Sequence, residues 1–114
     1  KEQIKHNEPI RDITPAELST RVEAGEKFHF VDVREPHEPT APEFMRGQNL
    51  PMSRWDVSEA AEFLRQADNV VLYCQHGVRS RAAIGSLPND LRKKILNLQG
   101  GLSAYLQQNQ TIQQ

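Results

Sequence analysis

The chain has a single cysteine, Cys74, and its position in the sequence is one that activates a thiol. It follows the apolar, β-prone run at residues 69–73 and begins a short loop, after which residues 80–84 are typical of a helix start. A sulfur at a strand–loop–helix junction faces loop N–H groups and the positive end of the helix dipole, and both favour an anion. The sequence therefore predicts an exposed, reactive thiolate.

The alternative is a cysteine that only packs in the core, since free cysteines are among the most buried residue types. The composition of the loop favours the reactive thiol. Gly77 permits positive φ or a close approach of the backbone, and Arg79 supplies a permanent cation. Val78 is the only large apolar side chain of the loop that could cover the sulfur.

Three segments resemble the motifs of rhodanese-type sulfurtransferases, in the order that the family has them. They are VDVREPHE at residues 31–38, CQHGVRS at residues 74–80 and LQGGLSAY at residues 98–105. The resemblance extends from residue 13 to residue 106. One stretch departs from it, because the family often has Gly-His-Ile-x-Gly-Ala before Asn-Ile-Pro, whereas residues 44–51 read FMRGQNLP.

The resemblance implies a sulfurtransferase that carries sulfane sulfur as a persulfide on Cys74, the catalytic residue. The donor is a small molecule such as thiosulfate, and no cofactor is expected. The acceptor is an external thiol, cyanide or a partner protein such as a sulfur carrier, because a single cysteine cannot resolve the persulfide within the chain. Similar domains form the C-terminal part of ubiquitin-activating-like adenylyltransferases, and a start at Lys1 fits a fragment of such a protein.

The substrate-binding residues expected from the loop are Gln75, His76, Gly77, Val78, Arg79 and Ser80. Their amides, curled around the sulfur, could stabilise a thiolate, a persulfide or the oxygens of thiosulfate. Arg79 is the candidate for binding an anionic substrate, the alternative being a structural ion pair with a carboxylate such as Asp32 or Glu35. For His76 we expect a role in shaping the entrance rather than as a general base. Asp32 and Arg34 are expected to form a supporting buried ion pair.

Two other functions remain possible at this level. A phosphatase or arsenate reductase of the same fold resembles this chain, but such enzymes have five residues between the cysteine and the arginine, whereas four separate Cys74 from Arg79. The shorter loop favours attack on the smaller sulfur centre. A non-catalytic binding module is the other alternative, and the intact Cys74, Gly77 and Arg79 argue against it.

Composition limits the remaining choices. The chain has 114 residues, of which 37% are hydrophobic, enough for one domain with a single core. A net charge of −1 gives no general attraction to nucleic acid or to an anionic membrane. With one cysteine and no histidines at ligand spacing, no metal site is expected. A free thiol and the absence of a signal-peptide pattern suggest the cytoplasm.

The elements that must position the loop alternate between strand and helix, which predicts an α/β fold. We expect a central parallel sheet with helices on both faces and a ligand site at the carboxyl ends of the strands. The rhodanese-like domain is expected at residues 11–107, between a flexible linker at residues 1–10 and a polar tail at residues 108–114. The predicted strands are residues 28–33, 49–50, 70–73 and 95–98, and the predicted helices are residues 15–24, 57–66, 79–87 and 102–107.

Overall fold

A five-stranded parallel sheet forms the centre of the computed structural model, which describes residues 7–113. The strands lie in the order β1-β5-β4-β2-β3, and every neighbouring pair is parallel. Parallel neighbours need crossover connections, which here contain helices. The strands are β1 (Arg11–Ile13), β2 (His29–Asp32), β3 (Gln48–Asn49), β4 (Val70–Tyr73) and β5 (Ile95–Leu98). The helices are α1 (Pro15–Glu23), α2 (Val57–Arg65), α3 (Val78–Gly85), α4 (Asn89–Arg92) and α5 (Gly101–Gln113), with 3-10 turns at Glu43–Met45 and Met52–Arg54.

The helices cover both faces of the sheet, as predicted, and β4 lies at its centre. All four residues of β4 are buried. Val70 and Leu72 belong to the core cluster formed with α2, α3 and α4. Val71 and Tyr73 belong to the opposite cluster, with α1 and α5. This period-two alternation assigns Cys74, the residue after β4, to the face that α2 and α3 cover.

Local sequence signals explain where the helices begin. The Thr14 hydroxyl accepts a hydrogen bond from the Glu17 amide, and the Glu17 carboxylate accepts one from the Thr14 amide. This capping box, with Pro15 at the first helical position, confirms the predicted start of α1. Asp56 caps α2 through the Glu59 amide. The N-cap of α3 is Gly77, and it makes no side-chain capping hydrogen bond.

Three features of the fold differ from the sequence prediction. The edge strand β1 and the helix α4 were not predicted, because each is too short for a periodic pattern to identify. Helix α5 continues to Gln113, through most of the stretch expected to be a polar tail. It is the longest helix, and no helix in residues 7–113 is long and apolar enough to cross a membrane.

Part of the expected N-terminal linker is held against the domain. The Glu8 amide donates to the Asn89 side chain at 2.8 Å, and the Glu8 carbonyl accepts from the Arg92 guanidinium at 2.6 Å. Arg92 is buried, and its guanidinium also donates to the carbonyls of Gly85, the last residue of α3, and Leu87. The linker prediction for residues 1–6 and the tail prediction for residue 114 lie outside the described residues.

Candidate active site

The sulfur of Cys74 lies at the centre of a ring of backbone amides. The Gly77 amide donates to Sγ at 3.0 Å and the Ser80 amide at 3.3 Å, with the His76 amide as a further donor. Gly77 makes this curl possible, because its φ of 94° lies in the left-handed region that other residues rarely adopt. The loop therefore presents its donors to one atom, as an oxyanion hole does.

The balance of burial and hydrogen bonding lowers the pKa of Cys74. Burial of the thiol by itself raises the pKa, and it is the largest single influence. The hydrogen bond between Cys74 and the Ser80 hydroxyl, and those that Sγ accepts from the amides of Ser80, Gly77 and His76, act in the opposite direction. Together they outweigh burial, so that the pKa lies below its ordinary value and the thiolate is favoured.

The expectation that the sulfur is exposed is wrong. Cys74 is 1% exposed, although Val78, the only large apolar side chain of the loop, is 76% exposed and does not bury it. Cys74 belongs to the apolar core cluster on the face that α2 and α3 cover, together with Val33 and Ala83. The amides directed at Sγ compensate part of the cost of an ion in these surroundings.

The start of α5 holds the loop in its curled form. The Leu102 amide donates to the Cys74 carbonyl and the Ser103 amide donates to the Gln75 carbonyl, both at 2.9 Å. Gly101 permits this contact, since a β-carbon there would lie 2.4 Å from the Gln75 carbonyl oxygen. The Gly-Gly turn seen in the sequence is therefore a direct part of the site.

Asp32 and Arg34 form a buried ion pair at the end of β2. Arg34 is 3% exposed, and its guanidinium donates to both carboxylate oxygens of Asp32 at 3.0–3.2 Å. Arg34 also donates to the Gln75 side chain at 3.0 Å. The ion pair therefore holds Gln75, the residue after Cys74, in place through its side chain.

Arg79 forms a structural ion pair, the alternative given in the sequence analysis, but its partner is neither Asp32 nor Glu35. Its guanidinium donates to both oxygens of Glu38, at 2.6 Å and 3.0 Å. The Glu35 carboxylate accepts instead from the hydroxyl and amide of Ser53. Sequence reasoning missed Glu38 because a glutamate in a proline-rich segment reads as a surface residue. Its spacing from Glu35 gave no sign of which carboxylate faces Arg79.

Ser80 connects the sulfur to a polar chain that was also missed. Its hydroxyl lies 3.4 Å from Cys74 Sγ and donates to the Asn97 side chain at 2.5 Å. Asn97 in turn donates to Asp12 at 2.9 Å, and Asp12 accepts from Arg81. A signal existed in the sequence, because Asn97 interrupts the otherwise apolar strand β5.

The remaining loop side chains face outward. His76 and Val78 are exposed, beside a groove of about 360 Å³ that they line together with Gly77, Gln99 and Gly100. His76 makes no side-chain contact to Cys74 among those that the structure shows. In residues 7–113 no group of three His, Cys, Asp or Glu side chains is placed to hold a metal ion.

The segment that departs from the family motif forms part of the opposite core. Met45 is fully buried, and its carbonyl accepts a hydrogen bond from the Tyr73 hydroxyl at 3.1 Å. Burial raises the pKa of Tyr73 well above its ordinary range, which keeps this hydroxyl a donor. A cavity of about 260 Å³ lies between this segment and the residues around Arg34 and Glu38.

Comparison with known proteins identifies the family of this chain. Residues 14–108 match the family model of the rhodanese-like domain. The chain is 35% identical over 98 residues to "Probable adenylyltransferase/sulfurtransferase MoeZ" of Mycobacterium tuberculosis, which covers 86% of this chain and 25% of that protein. It is 31% identical over 96 residues to a protein named "Sulfurtransferase" from Allochromatium vinosum, covering 84% of this chain and 88% of the relative.

Solved structures show the same fold. A rhodanese-related protein from Thermoplasma volcanium aligns with a TM-score of 0.62 and 26% identity, covering 86% of this chain and 92% of that one. The As-Sb reductase from Leishmania major aligns with a TM-score of 0.72 but only 15% identity, covering 91% and 81%, which shows shared fold alone. The chain belongs to the rhodanese family, and it spans about a quarter of the Mycobacterium relative.

Replacing Gly101 tests the contact between α5 and the loop. Gly101→Ala should lower the free energy of unfolding by about 1–3 kcal/mol and slow alkylation of Cys74, because the new methyl group displaces the loop amides. Gly25→Ala is the matched control, since Gly25 also has a positive φ, of 95°, but its β-carbon would meet nothing within 4 Å. It should show only the cost of the positive φ, with unchanged thiol reactivity. Equal behaviour of the two variants would contradict this role of Gly101.

The Glu38–Arg79 pair predicts a stability change in acid. Hydrogen bonds from Arg79 lower the pKa of Glu38 from 4.5 to about 2 in the folded state. The ionised pair therefore contributes fully above pH 4.5, and the contribution is lost as the pH falls towards 2. In urea unfolding across this range, the stability advantage of the wild type over Glu38→Gln should shrink, and Arg79→Gln should behave likewise. A difference independent of pH would rule out the pair as its source.

Proposed function

We propose that this chain is a sulfurtransferase that carries sulfane sulfur as a persulfide on Cys74. Membership of the rhodanese family and the name of the Allochromatium relative support sulfur transfer in general. The observation that carries the specific proposal is the set of amides from His76, Gly77 and Ser80 directed at the sulfur. This arrangement stabilises an anionic sulfur without a general base.

In the first half of the reaction, the Cys74 thiolate attacks the outer sulfur of a donor such as thiosulfate. A bond forms between the two sulfurs, the S–S bond of the donor breaks, and sulfite leaves with the electron pair. Cys74 then carries a persulfide anion, and the charge is conserved. Because Cys74 is 1% exposed, the loop must open locally to admit the donor.

In the second half, an external nucleophile attacks the terminal sulfur and releases the Cys74 thiolate. Cyanide as the acceptor would give thiocyanate, and an external thiolate would give a persulfide. The chain has no second cysteine, so the acceptor must be a separate molecule. The name of the Mycobacterium relative combines adenylyl transfer with sulfur transfer, which favours a sulfur-carrier protein as acceptor. A single free thiol further favours a reducing compartment such as the cytoplasm.

Arg79 is the proposed contact for the anionic part of the donor. Its pair with Glu38 uses two of the five N–H donors of a guanidinium, which leaves donors for a second anion. It lies close enough to Cys74 for a charge on the sulfur to act on it. Gln75 acts on the sulfur by fixing the loop, and Ser80 contacts it directly through its amide and hydroxyl. His76 and Val78 line the outer edge of the loop.

Mass spectrometry tests the persulfide directly. After incubation with thiosulfate in the absence of reductant, the wild type should gain one sulfur atom, and peptide mapping should locate it at Cys74. Cys74→Ser should gain none, because no other cysteine is present. Dithiothreitol should remove the added sulfur. Absence of the adduct in folded wild-type protein, together with turnover of an aryl phosphate, would replace the proposal with phosphatase chemistry.

Steady-state kinetics test the role of Arg79. The double variant Arg79→Gln/Glu38→Gln should raise KM for thiosulfate about tenfold with little change in kcat, since one charge-assisted contact contributes about 1.5 kcal/mol. The matched control is Arg21→Gln/Glu26→Gln, which removes a bidentate ion pair from the end of α1. It should leave KM unchanged. An equal rise in both double variants would show that Arg79 does not bind the donor.

A further inference from the structure

The hydroxyl of Ser80 can donate only one hydrogen bond, and it lies beside two atoms that can accept one, Asn97 Oδ1 and the ionised Cys74 Sγ. It lies 3.4 Å from Cys74 Sγ and 2.5 Å from Asn97 Oδ1, and all three residues are buried. In the structure, the thiol donates to Ser80 Oγ and Ser80 donates to Asn97. A thiolate has no proton to donate and needs one from Ser80 instead.

Asp12 fixes which end of the Asn97 amide faces Ser80. An ionised carboxylate only accepts hydrogen bonds, so Asn97 must present its NH₂ group to Asp12, at 2.9 Å. The carbonyl oxygen of the amide is then left facing Ser80. Arg81 donates to both oxygens of Asp12 at 3.0–3.1 Å and holds the carboxylate in place.

This chain of bonds competes with the sulfur. When Cys74 ionises, its charge attracts the Ser80 proton more strongly than a neutral carbonyl does. The hydroxyl can turn towards Sγ only by leaving Asn97 Oδ1 without a donor in a buried position, where an unmade hydrogen bond is costly. Ionisation of Cys74 is therefore coupled to the loss of the Ser80–Asn97 hydrogen bond.

We propose that Asp12 and Asn97 are positioning residues that direct the Ser80 proton away from Cys74 and so restrain formation of the thiolate. The proposal rests on Cys74 being the reactive sulfur of the proposed function. Its readout is the ionisation of the thiol, which does not require sulfur transfer. If the persulfide fails to form while the ionisation responds as described below, the proposed function fails and this inference stands.

Charged groups on three elements of the fold lie near Cys74 and can also influence its pKa. Arg79 acts on the sulfur from the start of α3. Asp32 and Arg34, at the end of β2, form an ion pair, and Arg34 donates a hydrogen bond to the side chain of Gln75, the residue after Cys74. Asp12 and Arg81 are linked to Cys74 through Asn97, at the outer end of the chain of bonds. A variant at position 12 changes charge as well as hydrogen-bond direction. The test therefore includes the Ser80→Ala background, in which only the change of charge can act on the thiol.

The test is the pH dependence of alkylation by iodoacetamide, a neutral reagent. Asn97→Leu should lower the apparent pKa of Cys74 by about one unit, which raises the thiolate fraction about tenfold at a pH well below that pKa. The alkylation rate rises by a smaller factor, because a thiolate of lower pKa is a weaker nucleophile. Ser80→Ala should raise the apparent pKa. In the Ser80→Ala background, adding Asn97→Leu should have no further effect, because the competition has been removed. The control is Ser19→Ala, which removes a buried hydroxyl on α1 and should leave the profile unchanged.

Asp12→Asn gives a second route if Asn97→Leu does not fold. A neutral amide at position 12 allows Asn97 to reverse and donate to Ser80, which frees the Ser80 proton for the sulfur. The apparent pKa should fall, and most of the fall should disappear in the Ser80→Ala background, leaving only the effect of the changed charge. An unchanged or raised pKa in the single variants, or a fall that persists in full without the Ser80 hydroxyl, would overturn the proposal.

Discussion

The site depends on where two carbonyl groups of the active-site loop find their partners. The amides of the loop can face the sulfur only if its carbonyls face elsewhere, and a buried carbonyl needs a donor. The first residues of α5 provide these donors, through Leu102 to Cys74 and Ser103 to Gln75. The unpaired N–H groups that every helix start possesses are thus used to orient a neighbouring loop. The sheet brings the two together, since β4 and β5 are adjacent and both end at this edge.

This arrangement explains how a buried sulfur can be an anion. The two arginines nearest the loop are each paired with a carboxylate, Arg34 with Asp32 and Arg79 with Glu38. Neither contributes an uncompensated positive charge. The stabilisation of the thiolate therefore comes from the loop itself, through the Ser80 side chain and the amides of Ser80, Gly77 and His76. The amide dipoles are fixed by the fold and do not reorganise when charge develops. The ion pairs instead hold the loop and the entrance in place.

Much of the fold could be predicted from the sequence, because strong local patterns agreed with the tertiary structure. The strands β4 and β5 were predicted to the residue, since each is a short apolar run bounded by polar residues. The start of α1 followed from its capping box. The strand β1 could not be found, because its three residues form a strand only by pairing with β5.

The candidate site was predicted in its position but not in its contacts. The loop from Cys74 to Ser80 was located from its sequence, whereas the burial of the sulfur was not. The sulfur is buried in the apolar cluster between the sheet and the helices α2 and α3, a tertiary contact that the composition of the loop does not reveal. The partner of Arg79 and the role of Asn97 depend on contacts between residues separated by 41 and 17 positions. Such pairs are set by the packing of whole elements and leave little trace in local sequence.

The central claim is that the loop amides help to lower the pKa of Cys74 despite its burial. It is tested most directly by following the ultraviolet absorbance of the thiolate while the pH of the wild-type protein is raised, with Cys74→Ser as the blank. The account predicts a midpoint below that of an ordinary thiol, about 8.5. A midpoint at or above that value would contradict it, because it would mean that burial outweighs the amides.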